Sequence, residues 1–248
     1  MDRLEQALRG ARSTAAAPGA ALEHAIVVGA GGALGSALLG EALARFQTVS
    51  ALVAGPLASA LRGFVALPLQ ALQAGKPLGA AVGFIVFERA RHSHGRDDAF
   101  VRPQPHELPQ LAAALEAAGV KRLLVVVPHS PALLPQALKA GFASADEAAV
   151  AALGFEQLLL LRAAQPAGAG TAGSALQRLA TWWLGQLRWL VPLREQPLRA
   201  VTLAALAVQL ARLLPAAPPG TRVVPPELLW QASQGDAEAV LSAWLGRP

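Results

Sequence analysis

The sequence predicts an α/β fold: a Rossmann-type parallel sheet flanked by helices, with a helical C-terminal cap. Three observations predict it. Short, near-continuous apolar runs alternate with Ala/Leu-rich segments, as strands buried on both faces alternate with covering helices. A glycine cluster joins the first apolar run to the first helical segment. The last third of the chain is helical in pattern and carries only one short strand-like run.

The first run and its turn organise the rest of the chain. Ala25-Ile26-Val27-Val28 leads into Gly29-Ala30-Gly31-Gly32-Ala33-Leu34-Gly35, and a helix is expected over about residues 33–45. Strand, glycine turn and helix make the first half of a nucleotide-binding βαβ unit. The spacing fits Gly29-x-x-Gly32-x-x-Gly35 with Gly31 as an extra, because the pattern G-x-G-x-x-G would need glycine at Leu34. Gly29 suits the sharp turn. Gly31 and Gly32 lack a Cβ and let a pyrophosphate approach the backbone, and Gly35 lets helix and strand pack closely. The N–H groups at the helix start then face the phosphates, aided by the helix dipole. Gly29, Ala30, Gly31, Gly32, Ala33, Leu34 and Gly35 are thus the expected cofactor-binding residues.

The other elements come in chain order. Residues 1–23 read as a short helix and a linker loosened by Pro18 and Gly19; residues 24–248 read as one NAD(P)-binding-like domain, its cap spanning about 173–248. The apolar run 49–54 is strand two, ended by Gly55-Pro56. Residues 64–67 are strand three, stopped by Pro68, and 81–87 are strand four. A polar loop spans 88–102. A helix over 105–118 ends at Gly119, and strand five covers 123–127. A helix over 143–153 has Ser144 as its N-cap, and strand six is 158–161. Helices then cover 175–191, 198–214, 226–233 and 237–245, with a short strand at 222–224.

Composition removes several function classes. With 248 residues and 54% hydrophobic content the chain can bury one large core. It has no cysteine, which excludes disulfides, thiolate catalysis and cysteine-based metal sites, and agrees with a cytoplasmic protein. The net charge of +5 comes from scattered bases without interleaved aromatics, so no nucleic-acid partner is expected. No apolar run reaches the roughly 20 residues of a spanning helix, and the acidic N-terminus carries no signal-peptide core, so no membrane partner is expected.

The glycine turn, Ser50-Ala51-Leu52-Val53-Ala54, Gly95-Arg96-Asp97-Asp98-Ala99-Phe100, Gly119-Val120-Lys121-Arg122-Leu123 and Leu153-Gly154-Phe155 through Arg162 together resemble the atypical short-chain dehydrogenase/reductases. The likeness is to the Tat-interacting oxidoreductase homologues and the epimerase-like proteins, and covers roughly residues 25–162. It implies a Rossmann fold that binds NADP(H) in preference to NAD(H) at the glycine turn. The sequence departs from the family's pattern elsewhere. The family's arginine after strand two is Ala54, and Arg62, the next base, reads more simply as a solvated residue. No acid lies between Glu41 and Glu88 to take the ribose of NAD. The family's small, glycine-containing segment after strand four is Phe87-Glu88-Arg89-Ala90. Its carboxylate would repel a pyrophosphate unless Arg89 or Arg91 pairs it. The family's serine after strand five falls at Val127-Pro128. Its tyrosine and lysine fall at about Lys139 and Ala143, and the chain contains no tyrosine at all. Proton transfer by a tyrosine next to a lysine is therefore excluded. Arg162 is kept, but the proline after it in the family is Ala163.

The remaining polar candidates are few. His129-Ser130 falls at the C-terminal end of a strand, where ligands bind in such sheets, and is the best remaining pair for proton transfer. His92-Ser93-His94, even with Asp97 or Asp98, reads as a solvated loop, so no metal site is expected. His106 is placed on a helix surface and His24 just before strand one. Trp182 and Trp189 share one side of the 175–191 helix, offset from its apolar stripe, and mark a homodimer contact, the wall of a ligand cleft under the cap, or a face covered by later helices. Two functions fit: an NADP(H)-binding, oxidoreductase-like protein without the usual tyrosine, or a non-catalytic Rossmann protein that binds a nucleotide, metabolite or protein. The partner expected is a dinucleotide or small molecule; the second function leaves open that no cofactor is bound.

Overall fold

A computed structural model describes residues 24–55, 57, 61–88, 95–129, 144–164 and 198–246. Seven strands form one sheet: β1 (His24–Val28), β2 (Thr48–Val53), β3 (Phe64–Pro68), β4 (Val82–Val86), β5 (Arg122–His129), β6 (Gln157–Ala164) and β7 (Gly220–Val224). Their order is β3-β2-β1-β4-β5-β6-β7, and every neighbouring pair is parallel. The chain moves outward from β1 in one direction to β3, then returns to the other side of β1 with β4. That reversal between β1 and β4 is the Rossmann arrangement, and it opens a crevice at the carboxyl ends of these two strands.

Strand alternation sorts the apolar side chains onto two faces. Ala25 and Val27 join Phe84, Leu124 and Leu159 in one core, while Ile26 and Val28 join Ile85, Leu123, Val125 and Leu158 in the other. The first core is covered by α1 (Gly32–Arg45), by α5 (Ala200–Leu213), and by α6 (Pro226–Gln234) and α7 (Ala237–Trp244). The second is covered by α2 (Leu69–Gln73), α3 (Leu108–Ala117) and α4 (Ala145–Ala151), through residues such as Leu72, Leu115 and Val150. Because both faces are covered, the central strands carry almost no polar residues. Phe46, at the end of α1, meets Phe84 of β4 edge-to-face with ring centroids 6.2 Å apart.

Every strand and every helix expected within the described residues is present. The ends differ by a few residues: the 105–118 helix opens with a 3₁₀ turn at Pro105–Glu107 before α3. Ser144 caps α4, its Oγ accepting the Glu147 N–H at 3.3 Å. The short strand expected at 222–224 is β7, and it extends the parallel sheet beyond β6. Gln157 fastens this edge: its buried amide donates to the carbonyls of Leu214 at 2.6 Å and Ala217 at 2.7 Å, holding the end of α5 over β6. No helix among the described residues is long and apolar enough to cross a membrane.

Candidate functional site

The site begins with backbone geometry. Gly29 and Gly32 have φ of +86° and +77°, a conformation that side-chain-bearing residues rarely adopt. A Cβ at Gly35 would overlap the Gly29 carbonyl oxygen and lie 2.7 Å from the Ala30 carbonyl carbon, so α1 starts closer to β1 than any other residue would permit. The turn at Gly29 and the close helix–strand packing at Gly35 are as the spacing predicts; beside Gly31 lies the Asp97 carbonyl, 2.9 Å from where its Cβ would be. Gly31 is the N-cap of α1, has no side chain to cap it, and the first turn contains no acidic residue. The helix thus presents bare N–H groups to the crevice.

One of those groups is already engaged. Oε2 of Glu88 accepts the N–H of Leu34 at 3.1 Å. Glu88 comes from the other side of the crevice, two residues beyond β4, and is half-buried. Its carboxyl sits where a Cβ at Gly32 would collide with it. The sequence marks Glu88 as a repulsive charge and points to Arg89 or Arg91 as its partner. The partner the structure supplies is the start of α1; Arg89 and Arg91 lie outside the described residues.

Residues 95–102 lie at the same edge. A 3₁₀ turn at Gly95–Ala99 precedes an antiparallel bridge between Phe100 and Val53, reinforced by Ala54 N–H to the Ala99 carbonyl at 2.8 Å. A cleft of about 460 Å³ opens there, lined by Val53, Ala54, Gln70, Asp98, Phe100 and Arg102 among others. Arg102 donates to Asp98 across the cleft mouth at 2.9 Å. This cleft adjoins the carboxyl end of β2, where the ribose next to adenine lies in dinucleotide-binding sheets. Arg62 is not near it. It is exposed in the turn before β3, and the adjacent Gly63 carbonyl accepts the N–H of Val49 at the opposite edge of the sheet. Arg62 therefore cannot replace the missing arginine, and the solvated reading of it stands. Arg102 reaches the cleft from the β4–α3 connection and is paired there with Asp98.

On the other half of the sheet, His129 ends β5 at this same carboxyl edge, two strands from β1. Ser130, Lys139, Ala143, His92, His94, Trp182 and Trp189 lie outside the described residues. Behind β5, Arg162 of β6 and Glu147 of α4 form a buried pair, only 2% and 4% exposed. Nη1 donates to Oε1, and Nη2 donates to Oε2 at 2.5 Å, a two-pronged contact matched to the carboxylate. Arg162, expected from the family likeness, thus fastens a helix to the sheet. At the amino edge, His24 Nε2 lies 2.8 Å from Ser50 Oγ. Burial pushes the His24 imidazole pKa below its ordinary value, and a backbone hydrogen bond with Leu78 partly offsets this.

No protein-family model matches the chain, and no curated protein matches it. Solved structures do. The Bordetella bronchiseptica enzyme WbmG, in complex with NAD and UDP, is 16% identical with a TM-score of 0.48, and the alignment covers 94% of this chain and 82% of that one. WbmH from the same organism, in complex with NAD+, is 14% identical with a TM-score of 0.48, covering 85% and 79%. MoeE5, in complex with UDP-glucuronic acid and NAD, is 22% identical with a TM-score of 0.37, covering 56% and 54%.

Proposed function

We propose that the protein holds a nicotinamide dinucleotide across the β1–β4 crevice, with the diphosphate at the Gly29–Gly35 turn, and that it is oxidoreductase-like without tyrosine-based proton transfer. The observation that carries this reading is the turn itself. Two left-handed glycines, a third at helix–strand contact and a helix start whose N-cap residue makes no side-chain cap stand at the topological switch point. The backbone fits the group, and the Glu88 carboxylate stands in for an anion on the Leu34 N–H. When bound, the nicotinamide supplies hydride donation or acceptance. The chain's own residues position it: Gly31 to Leu34 face the diphosphate, and the Arg102–Asp98 cleft takes the adenosine ribose. Arg102 lines this cleft with Ala54, and NADP(H) over NAD(H) is proposed on the condition that its guanidinium exchanges Asp98 for a 2′-phosphate. His129 and Ser130 are the proposed proton-transfer residues, and the cysteine-free composition supports a cytoplasmic protein.

Thermal unfolding with NADPH, with NADH and without ligand tests the reading. At a hundredfold excess over Kd, bound cofactor should add about 2.7 kcal/mol of stability. Gly32→Asp should abolish that gain. If reductase activity is found, His129→Ala should lower it by roughly a hundredfold. The absence of any shift with millimolar NADPH or NADH would leave the second reading, a Rossmann protein that binds another metabolite or a protein.

A further inference from the structure

A diphosphate arriving at the start of α1 meets a negative charge that the chain already holds there. Oε2 of Glu88 occupies the Leu34 N–H, and the carboxyl group lies against the side of Gly32 that the missing Cβ leaves open. Those are the donor and the space that a diphosphate oxygen would use. Glu88 is not a local cap. It is 54 residues from Leu34 in sequence and crosses from the β4 side of the crevice to the β1 side. The first turn of α1 has no acid of its own, so Glu88 supplies the charge that its dipole favours.

We infer that Glu88 is the resident anion of the glycine turn, which a diphosphate must displace in order to bind. The inference rests on the glycine turn being a diphosphate site, and it adds who holds that site first. The side chain and a diphosphate cannot accept the same N–H together, and like charges at that separation repel. Dinucleotides therefore bind only as the Glu88 side chain swings out, and the turn discriminates against diphosphate ligands in its resting form.

The test uses the full chain and two variants. Glu88→Gln keeps the shape and removes the charge, while Glu88→Gly clears the turn. Inorganic pyrophosphate, NADPH and NADH are each titrated by calorimetry at matched, low ionic strength. Both classes of ligand should bind Glu88→Gly about tenfold or more tighter than the wild type, with Glu88→Gln between them, the size of a charge at a helix end plus one charge-assisted hydrogen bond. Without ligand, the Leu34 amide resonance should move in Glu88→Gln, which reads the contact itself. Equal pyrophosphate affinity in all three proteins would overturn the inference. If NADPH also bound all three equally, the dinucleotide reading would survive without it. Tighter pyrophosphate binding with no dinucleotide binding would uphold Glu88's role and remove the dinucleotide reading. If no ligand bound any of the three, both would fall.

Discussion

Glu88 and Glu147 are both carboxylates held against the body of the sheet, and they are held by different means. Glu147 is 4% exposed and clasped through both oxygens by Arg162, itself 2% exposed. Glu88 is half-buried and accepts one backbone N–H at a helix start. A guanidinium partner buried with its carboxylate cannot leave without stranding a charge away from water. A helix end accepts any anion of suitable size, so its occupant is exchangeable. The first pair is part of the scaffold. The second holds the helix start that we propose as the diphosphate site.

The largest effect should come from breaking the scaffold pair. Arg162→Ala leaves Glu147 buried without its guanidinium and should cost about 3–5 kcal/mol in urea unfolding. Replacing both, Arg162→Met with Glu147→Leu, should recover most of that loss, and a double variant as unstable as the single one would show that the pair does more than fasten α4. Next comes the ground beneath Glu88. Gly35→Ala drives a methyl into the Gly29 carbonyl and should cost about 3 kcal/mol by the same measurement. A cost near zero would mean that the turn can shift, and the exchangeable site would then be soft rather than preformed. Glu88→Gln should cost only about 0.3–1 kcal/mol, the worth of one charge at a helix end. A loss as large as that of Arg162→Ala would erase the distinction drawn between the two carboxylates.

The smallest effect is expected at His24. Its folded pKa is lowered, so the unfolded chain binds more protons between that value and the ordinary 6.5. Its contribution is complete above pH 6.5 and is lost as pH falls through the window below. Thermal melting from pH 7 to pH 5 should therefore decline less steeply in His24→Gln than in the wild type. Parallel profiles would show that His24 carries none of the pH dependence.

The sheet is legible in the sequence because its signals are local. Val27-Val28-Gly29 and Leu123 through Val127 announce strands by apolar run and by what ends them. The packing role of Gly35 is legible for the same reason, since its contacts are with Gly29 and Ala30, whereas Gly29, Gly31 and Gly32 face Val86, Asp97 and Glu88 from distant parts of the chain. What stays hidden depends on elements meeting. Sequence order points to a partner for Glu88 one or three residues along the chain, yet the partner is Leu34, brought near by the β1–β4 pairing. Arg62 is next in sequence after β2 but lies at the amino edge of the sheet, whereas the residue lining the cleft beside Val53 is Arg102, placed there by the Val53–Phe100 bridge that no pattern announces. The Arg162–Glu147 pair needs the register of α4 on β6, which side-chain chemistry alone does not give.

The position of β7 bears on how the chain is made. β6 is complete by Ala164, but the strand that shields its outer edge does not exist until residues 220–224 have been added, and α5, which covers α1, comes only shortly before. A growing chain released between those points would carry an open strand edge and a bare apolar face, the two features that drive self-association. The order of synthesis thus places roughly 60 residues between the end of β6 and the completion of the strand that pairs with it.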